Sequence, residues 1–320
     1  MRILVTGGAG FIGSNLVEAL LKDERVSHVR VLDNLATGSM QNINEFLHHP
    51  KLEFIEGDIR SYQSCIEACS DFNLISHQAA LGSVPRSIKD PLSSNDVNIT
   101  GTLNIFNAAR ETKIKRIVFA GSSSTYGDHP GLPKKEDLIG KPISPYAVTK
   151  YVNELYATVF SNLYGLEIIG LRYFNIFGPK QNPEGQYAAV IPLFIKAILN
   201  NQPPIINGDG SHSRDFTYVD NAVQANILSL FIENKNAVNQ IYNIACGNQV
   251  TLLQLFDMLA NFAGSKLRPE HGPERKGDVK YSMADISKAK QLLQYDPLIS
   301  AEQGLQKTFN WFKKQKEVKV

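Results

Sequence analysis

The chain has 320 residues with 43% hydrophobic and 20% charged content, the composition of a globular protein with a sizeable core. A net charge of +2 leaves no electrostatic footprint for nucleic acid, and no apolar stretch reaches the length of a membrane span. Cys65, Cys69 and Cys246 are odd in number and form no C-x-x-C, so neither a disulfide framework nor a metal site is expected, and the expected compartment is reducing and cytoplasmic.

The opening run M-R-I-L-V-T is too short for the apolar core of a secretory signal and leads straight into glycines. Residues 2–6 read as a short buried strand, apolar and β-branched. Gly7, Gly10 and Gly13 follow in G-G-A-G-F-I-G, and an amphipathic helix continues over 15–22. A second apolar run, 29–32, ends at Asp33. Strand, glycine turn, helix, strand and acid in that order predict a dinucleotide site. The glycines, with Phe11 and Ile12 between them, allow a tight turn whose helix N-terminus receives a pyrophosphate. Asp33 suits a ribose hydroxyl and repels a 2′-phosphate, which favours NAD over NADP; Asn34 and Gly38 fall in the same predicted site.

The alternation continues. Residues 52–55 read as a strand with Gly57-Asp58-Ile59 at its end, where Asp58 suits either an adenine amino group or a helix cap. The strand 73–76 leads into His77-Gln78-Ala79-Ala80, whose small residues let a cofactor lie against the backbone, with His77 as a structural histidine. A long helix is predicted over 91–112, with Asn98 facing the sheet edge or a helix partner. The strand 115–120 ends in the hydroxyl run 121–127. Ligands of open α/β sheets bind beyond the carboxyl ends of strands, so this run is placed to meet Tyr146 of the next helix, 146–164. That helix opens S-P-Y-A-V-T-K, in which Ser144 and Pro145 suit a first turn. Tyr146 and Lys150 are four apart and share a face. The ammonium favours the phenolate, and lowering a phenol from its usual value to near neutrality takes roughly 4 kcal/mol, which Lys150 and a cationic cofactor ring are expected to supply. Further helices are predicted over 187–199, 220–232, 252–262 and 301–313.

With G-G-A-G-F-I-G, Asp33, the serine run before Tyr126-Gly127, and Tyr146-x-x-x-Lys150 in that order, the chain resembles the extended short-chain dehydrogenase/reductase family. Within it the likeness is closest to the nucleotide-sugar 4-epimerases, especially bacterial UDP-N-acetylglucosamine 4-epimerases. The motifs L-R-Y-F-N-x-x-G-P from Leu171, R-D-F-x-Y-V-D from Arg214 and R-x-G-D from Arg275 carry it over nearly the whole chain. The resemblance implies an α/β fold: a Rossmann-type doubly wound parallel sheet over 1–172 and a smaller C-terminal α/β substrate domain over 173–320, with segments near 215–235 returning to the first.

The resemblance also implies roles. Ser122, Tyr146 and Lys150 are the catalytic set, with Lys150 on the nicotinamide ribose and Tyr173 against the nicotinamide. Gln78, Ala79, Ala80, Asp58, Ile59 and Asn98 complete the cofactor contacts. Asn175, Arg214 and Arg275 hold the diphosphate, Asp278 a ribose, and Ile206 and Asn207 lie near the uracil. Gly82, Ser83, Ser123, Ala189, Val190 and Ser282 surround the sugar. Ser282 matches a position where a bulky tyrosine restricts relatives to non-acetylated hexoses and a small residue admits a 2-acetamido group.

The implied activity is reversible C4 epimerisation of UDP-GlcNAc to UDP-GalNAc by transient oxidation with tightly bound NAD, in polysaccharide biosynthesis, by a homodimer built on the helices of Asn98 and Tyr146. Epimerisation of UDP-Glc/UDP-Gal or of a UDP-uronic acid is the alternative. From another class, the chain could be a non-catalytic NAD-binding regulator, although such relatives commonly lose one of Ser122, Tyr146 and Lys150. Dehydration is disfavoured, since Ser123-Ser124 stand where dehydratases carry Asp-Glu.

Overall fold

The structure, a computed structural model, describes residues 1–184, 188–273 and 280–318. The first half runs β1 (Arg2–Thr6), α1 (Phe11–Lys22), β2 (His28–Asp33), β3 (Leu52–Glu56), α2 (Tyr62–Cys69), β4 (Leu74–His77), α3 (Val84–Lys89), α4 (Pro91–Asn95), α5 (Gly101–Glu111), β5 (Arg116–Ser122), α6 (Pro145–Tyr164) and β6 (Glu167–Tyr173). The second half is β7 (Ile176–Phe177), α7 (Val190–Leu199), β8 (Ile205–Asn207), β9 (Ser213–Arg214), β10 (Thr217–Tyr218), α8 (Val219–Phe231), β11 (Ile241–Ile244), β12 (Val250–Thr251), α9 (Leu252–Ala263), β13 (Glu270–Gly272), α10 (Ser287–Leu293) and α11 (Ala301–Val318).

Seven strands form one wholly parallel sheet in the order β11-β6-β5-β4-β1-β2-β3. Such a sheet is buried on both faces, which is why Ile3, Leu4 and Val5 are all apolar and fully buried. On one face Leu16, Val17 and Leu20 of α1 pack with Ala222 and Ala225 of α8. On the other, Ile105 and Phe106 of α5 pack with Phe119 and Phe160. The strand order reverses between β1 and β4, and the crevice beyond their carboxyl ends is where ligands of this Rossmann-type fold bind.

Several elements differ from expectation. The helix predicted over 91–112 is interrupted by a π-turn at Asp96–Thr100, between α4 and α5. There Asn98, fully buried, accepts from Leu81 N at 2.8 Å and donates to Leu81 O at 3.1 Å and Thr149 Oγ1 at 3.1 Å, so the turn re-aims a side chain toward the crevice loop. Strands β6 and β11 arise where no strand was predicted. The C-terminal helix runs to Val318, beyond the expected 313. Among the described residues, no helix is long and apolar enough to cross a membrane.

The helix that carries Tyr146 and Lys150 is anchored from below. Arg172 of β6, 2% exposed, makes a two-pronged ion pair with Glu154 of α6, at 2.8 and 2.7 Å, and donates to Glu136 O at 2.9 Å. Two parallel charge-assisted bonds fix both the distance and the rotation of α6 over the sheet.

Candidate active site

A cleft of about 1050 Å³ opens along the carboxyl edge of the sheet, within the range of small-molecule sites. Its first end is made by the β1–α1 turn. Gly7 has φ +70°, and an added Cβ there would lie 2.6 Å from Ala79 N; at Gly13 it would lie 2.1 Å from Gly7 O. Neither position admits a side chain, so the turn closes and β4's exit loop lies against it. No side chain caps the α1 N-terminus, which leaves its first-turn N–H groups to the cleft beside Gly10, Phe11 and Ile12. Asp33, 8% exposed, accepts from Ala9 N at 2.9 Å and Leu35 N at 2.8 Å, and burial pushes its carboxyl above the ordinary value. A buried acid beside an uncapped helix N-terminus fits NAD, with ribose hydroxyls on the carboxylate and pyrophosphate on the amides.

Asp58 and Asn34 also line this end. Asn34 Nδ2 donates to Asp58 Oδ2 at 2.8 Å, and Arg60 donates to the same carboxylate at 2.7 Å, which holds Asp58 down at about 2. Ser61, not the Asp58 side chain, caps α2. Gly38 is set behind the glycine turn, where an added Cβ would lie 2.9 Å from Ala9 O, and is absent from the lining. His77 lies beneath. Thr102 Oγ1 gives its proton to Asn98 O, so it accepts from His77 Nε2, and Nδ1 accepts from Thr6 at 2.6 Å. Burial lowers His77 to about 3, so it is a neutral structural residue.

The centre of the cleft holds Ser122, Tyr146 and Lys150. Ser122 ends β5, Ser144 caps α6 by accepting from Ala147 N at 3.2 Å, and Ser87 Oγ accepts from Tyr146 N at 3.0 Å. The hydroxyls of Ser122 and Ser124 are 2.8 Å apart. Lys150 Nζ donates to Ala120 O at 2.9 Å and lies 6.0 Å from the Tyr146 ring centroid. Burial brings Lys150 down to about 8, opposed by Glu154. The expected lowering of the Tyr146 phenol rests on Lys150 together with a cationic cofactor ring. Burial raises the phenol, and the opposing influence is a hydrogen bond with Ser122.

At the far end Gly82, Ser123, Asn175, Arg214 and Ser282 line the cleft, and a Cβ added at Gly82 would meet no atom within 4 Å. Asn175 adopts φ +40° and donates to Asp215 O at 3.1 Å. Arg214 donates to Ser213 O at 2.9 Å and Lys280 O at 3.3 Å. Ser282 N donates to Ser213 O at 3.2 Å, so the strap 280–285 runs beside β9. Asp215, fully buried, accepts from Cys246 N, Gly247 N and Ala284 N at 3.0–3.2 Å; burial pushes its carboxyl up to about 7.

The remaining expected residues stand elsewhere. Ser83 caps α3 at φ +100° just beyond the lining, and Asn98 acts through Leu81 from behind it. Ala189 and Val190 open α7 outside the lining, Asn207 pairs with Gly272 in β8, and the Ile206 side chain is 1% exposed in the core, which leaves only its backbone for a ligand. Arg275 and Asp278 lie outside the described residues. The cleft adds residues that sequence reasoning missed, notably Thr37, Arg60, Val84 and Lys134. Lys134 belongs to no periodic element; it is brought in by a bridge to Ala284, which no local pattern announces.

Residues 3–245 match the NAD dependent epimerase/dehydratase family. The chain is 41% identical to a UDP-N-acetylglucosamine 4-epimerase from Methanobrevibacter ruminantium, solved in complex with UDP-N-acetylmuramic acid, with a TM-score of 0.92 and 98% of each chain covered. It is 38% identical to a UDP-glucuronate 4-epimerase from Thermodesulfobacterium geofontis, over 98% of this chain and 97% of the relative. A Thermus thermophilus UDP-glucose 4-epimerase in complex with NAD is 34% identical, with a TM-score of 0.87 over 98% of this chain and 99% of that one. The glycine turn, the buried Asp33 and the Ser122–Tyr146–Lys150 centre thus stand in a chain that belongs to the NAD dependent epimerase/dehydratase family.

Proposed function

We propose that the protein is a UDP-sugar 4-epimerase that interconverts UDP-N-acetylglucosamine and UDP-N-acetylgalactosamine. The observation that carries the sugar assignment is the small Ser282 side chain lining the cleft together with the open space at Gly82. A 2-acetamido group needs that room. The chemistry that NAD would supply when bound is reversible hydride transfer at sugar C4, together with the charge of a cationic ring. Tyr146 removes and restores the 4-hydroxyl proton, with Ser122 as the neighbouring hydroxyl that favours the phenolate. Lys150 holds the cofactor ribose and adds positive charge beside the phenol. Arg214 and Asn175 grip the diphosphate, so that the 4-keto sugar turns about a fixed anchor and presents its other face.

Residues 1–172 with the returning α8 and β11 form the NAD-binding body, and the rest the substrate body. Val148, Leu155, Val159 and Leu163 make an exposed apolar stripe along α6, and Leu92 of α4 is 81% exposed beside it. Such a stripe suits a homodimer.

Lys134 favours a second reading. A buried cation lining the cleft suits a sugar carboxylate, hence a UDP-uronic acid. NMR of the protein incubated without added cofactor separates the readings. Fast conversion of UDP-GlcNAc and slow conversion of UDP-Glc supports the first. Preference for UDP-Glc sinks the Ser282 argument, and turnover of a UDP-uronic acid alone selects the second.

A further inference from the structure

We propose that Asn226 of α8, which does not line the cleft, is the positioning residue for Gln78 and Tyr173 on the cofactor side. Asn226 and Ser76 are fully buried, whereas Gln78 and Tyr173 face the cleft. The four side chains close a hydrogen-bonded ring. Asn226 Nδ2 donates to the Tyr173 hydroxyl at 2.7 Å and to Ala222 O at 2.8 Å. Tyr173 donates in turn to Gln78 Oε1 at 3.1 Å. Gln78 Nε2 donates to Ser76 Oγ and to Asn226 Oδ1, both at 2.9 Å, and Ser76 donates to Asn226 Oδ1 at 3.1 Å.

The inventory of donors fixes every direction. Ala222 O only accepts, so Asn226 must turn its Nδ2 toward it and its Oδ1 toward Gln78 and Ser76. Gln78 must then turn Nε2 inward and Oε1 to Tyr173. All six donor protons of the ring are engaged within it or with Ala222. The Tyr173 hydroxyl therefore has no proton to offer the cleft, and Tyr173 presents its ring there. Burial pushes its phenol up to about 12.

The ring has a second consequence. Ser76 belongs to β4 and Tyr173 to β6, the strands on either side of β5, which ends in Ser122. One amide from α8 thus holds the cleft wall on both sides of the catalytic serine. A fully satisfied buried network rigidifies what it holds, and breaking one member leaves several polar groups unpaired.

The test uses the full chain with Asn226→Leu, which deletes both the donor and the acceptor, Ser76→Ala, which removes one leg, and Tyr173→Phe. Two quantities are read: NAD affinity by calorimetry, and kcat in a double-mutant cycle of Asn226→Leu with Tyr173→Phe. The expected result is about a tenfold loss of NAD affinity in Asn226→Leu, and about a tenfold loss of kcat that shrinks to under about twofold when Tyr173 is already Phe. Unchanged NAD affinity, or losses that simply add, with only the melting temperature lowered, would overturn the proposal and leave Asn226 a packing residue. Should Asn226→Leu fail to fold, Ser76→Ala decides: about a threefold loss of NAD affinity supports the ring, and no loss refutes it. Wild-type protein that binds NAD but turns over no sugar would refute the epimerase reading alone, because the NAD arm still tests Asn226.

Discussion

The two ends of the cleft are built in different ways. The cofactor end rests on consecutive strand–helix units of one parallel sheet, where register places each residue. The substrate end rests on the two-stranded pairs β7–β10, β9–β12 and β8–β13, none longer than three residues, and on the strap 280–285. There, position is fixed by side chains that reach distant backbone. Asp215 gathers the turn at Cys246 and Gly247 and the strap at Ala284, while Asn243 donates to Lys134 O and Asp285 O at 2.9 and 3.0 Å. A periodic frame supports chemistry common to many substrates; a frame of single ties can change its wall without disturbing the sheet.

That contrast can be broken by substitution. Tyr146→Phe removes the base and leaves both ends intact, so kcat by NMR is expected to fall by about 10³-fold with NAD content unchanged. Arg172→Ala strands Glu154 in the core and is expected to cost about 3–5 kcal/mol in denaturant unfolding; a loss under about 1 kcal/mol would show that the pair does not anchor α6. Ser282→Tyr tests the substrate end alone. Turnover of UDP-GlcNAc is expected to drop about a hundredfold while UDP-Glc is spared, and equal losses for both sugars would count against the wall reading.

Acid sharpens the comparison at the cofactor end. His77 is held near 3 in the folded chain, below the ordinary 6.5, so the unfolded chain binds the extra proton first. Stability is therefore full above about 6.5 and is lost as pH falls toward 3, by about 2 kcal/mol between pH 7 and 5. His77→Gln is expected to flatten that slope in thermal melts. The smallest effect belongs to Thr251, whose capping box with Gln254 starts α9 of the substrate half: Thr251→Ala is expected to cost about 1 kcal/mol.

Legibility in the sequence follows the same division. Residues 2–33 announce strand, turn, helix, strand and acid because a buried parallel strand is a continuous apolar run and a pyrophosphate turn needs glycine. S-P-Y-A-V-T-K announces α6 because its cap and the i, i+4 pair are local. β11 was not legible: I-Y-N-I is four residues long, and Asn243 is polar because it serves Lys134 and Tyr126 rather than the ladder. Lys134 was invisible for a related reason, since a loop residue is recruited through a partner 150 positions away. For the Tyr146 phenol, spacing reports which side chains are neighbours but not how deeply they are buried, and burial raises it.

The pairing of β11 with β6 has a consequence for synthesis. As the chain leaves the ribosome, β6 is complete long before β11 exists, and until then its outer N–H and C=O groups form an open template for another strand. A product that stops at 172 would carry the glycine turn, Tyr146 and Lys150 and still lack both α8 and the strand that covers β6. Residues 219–244 therefore exchange a seven-residue edge, β6, for a four-residue one, β11, and a short edge is the poorer template for another strand.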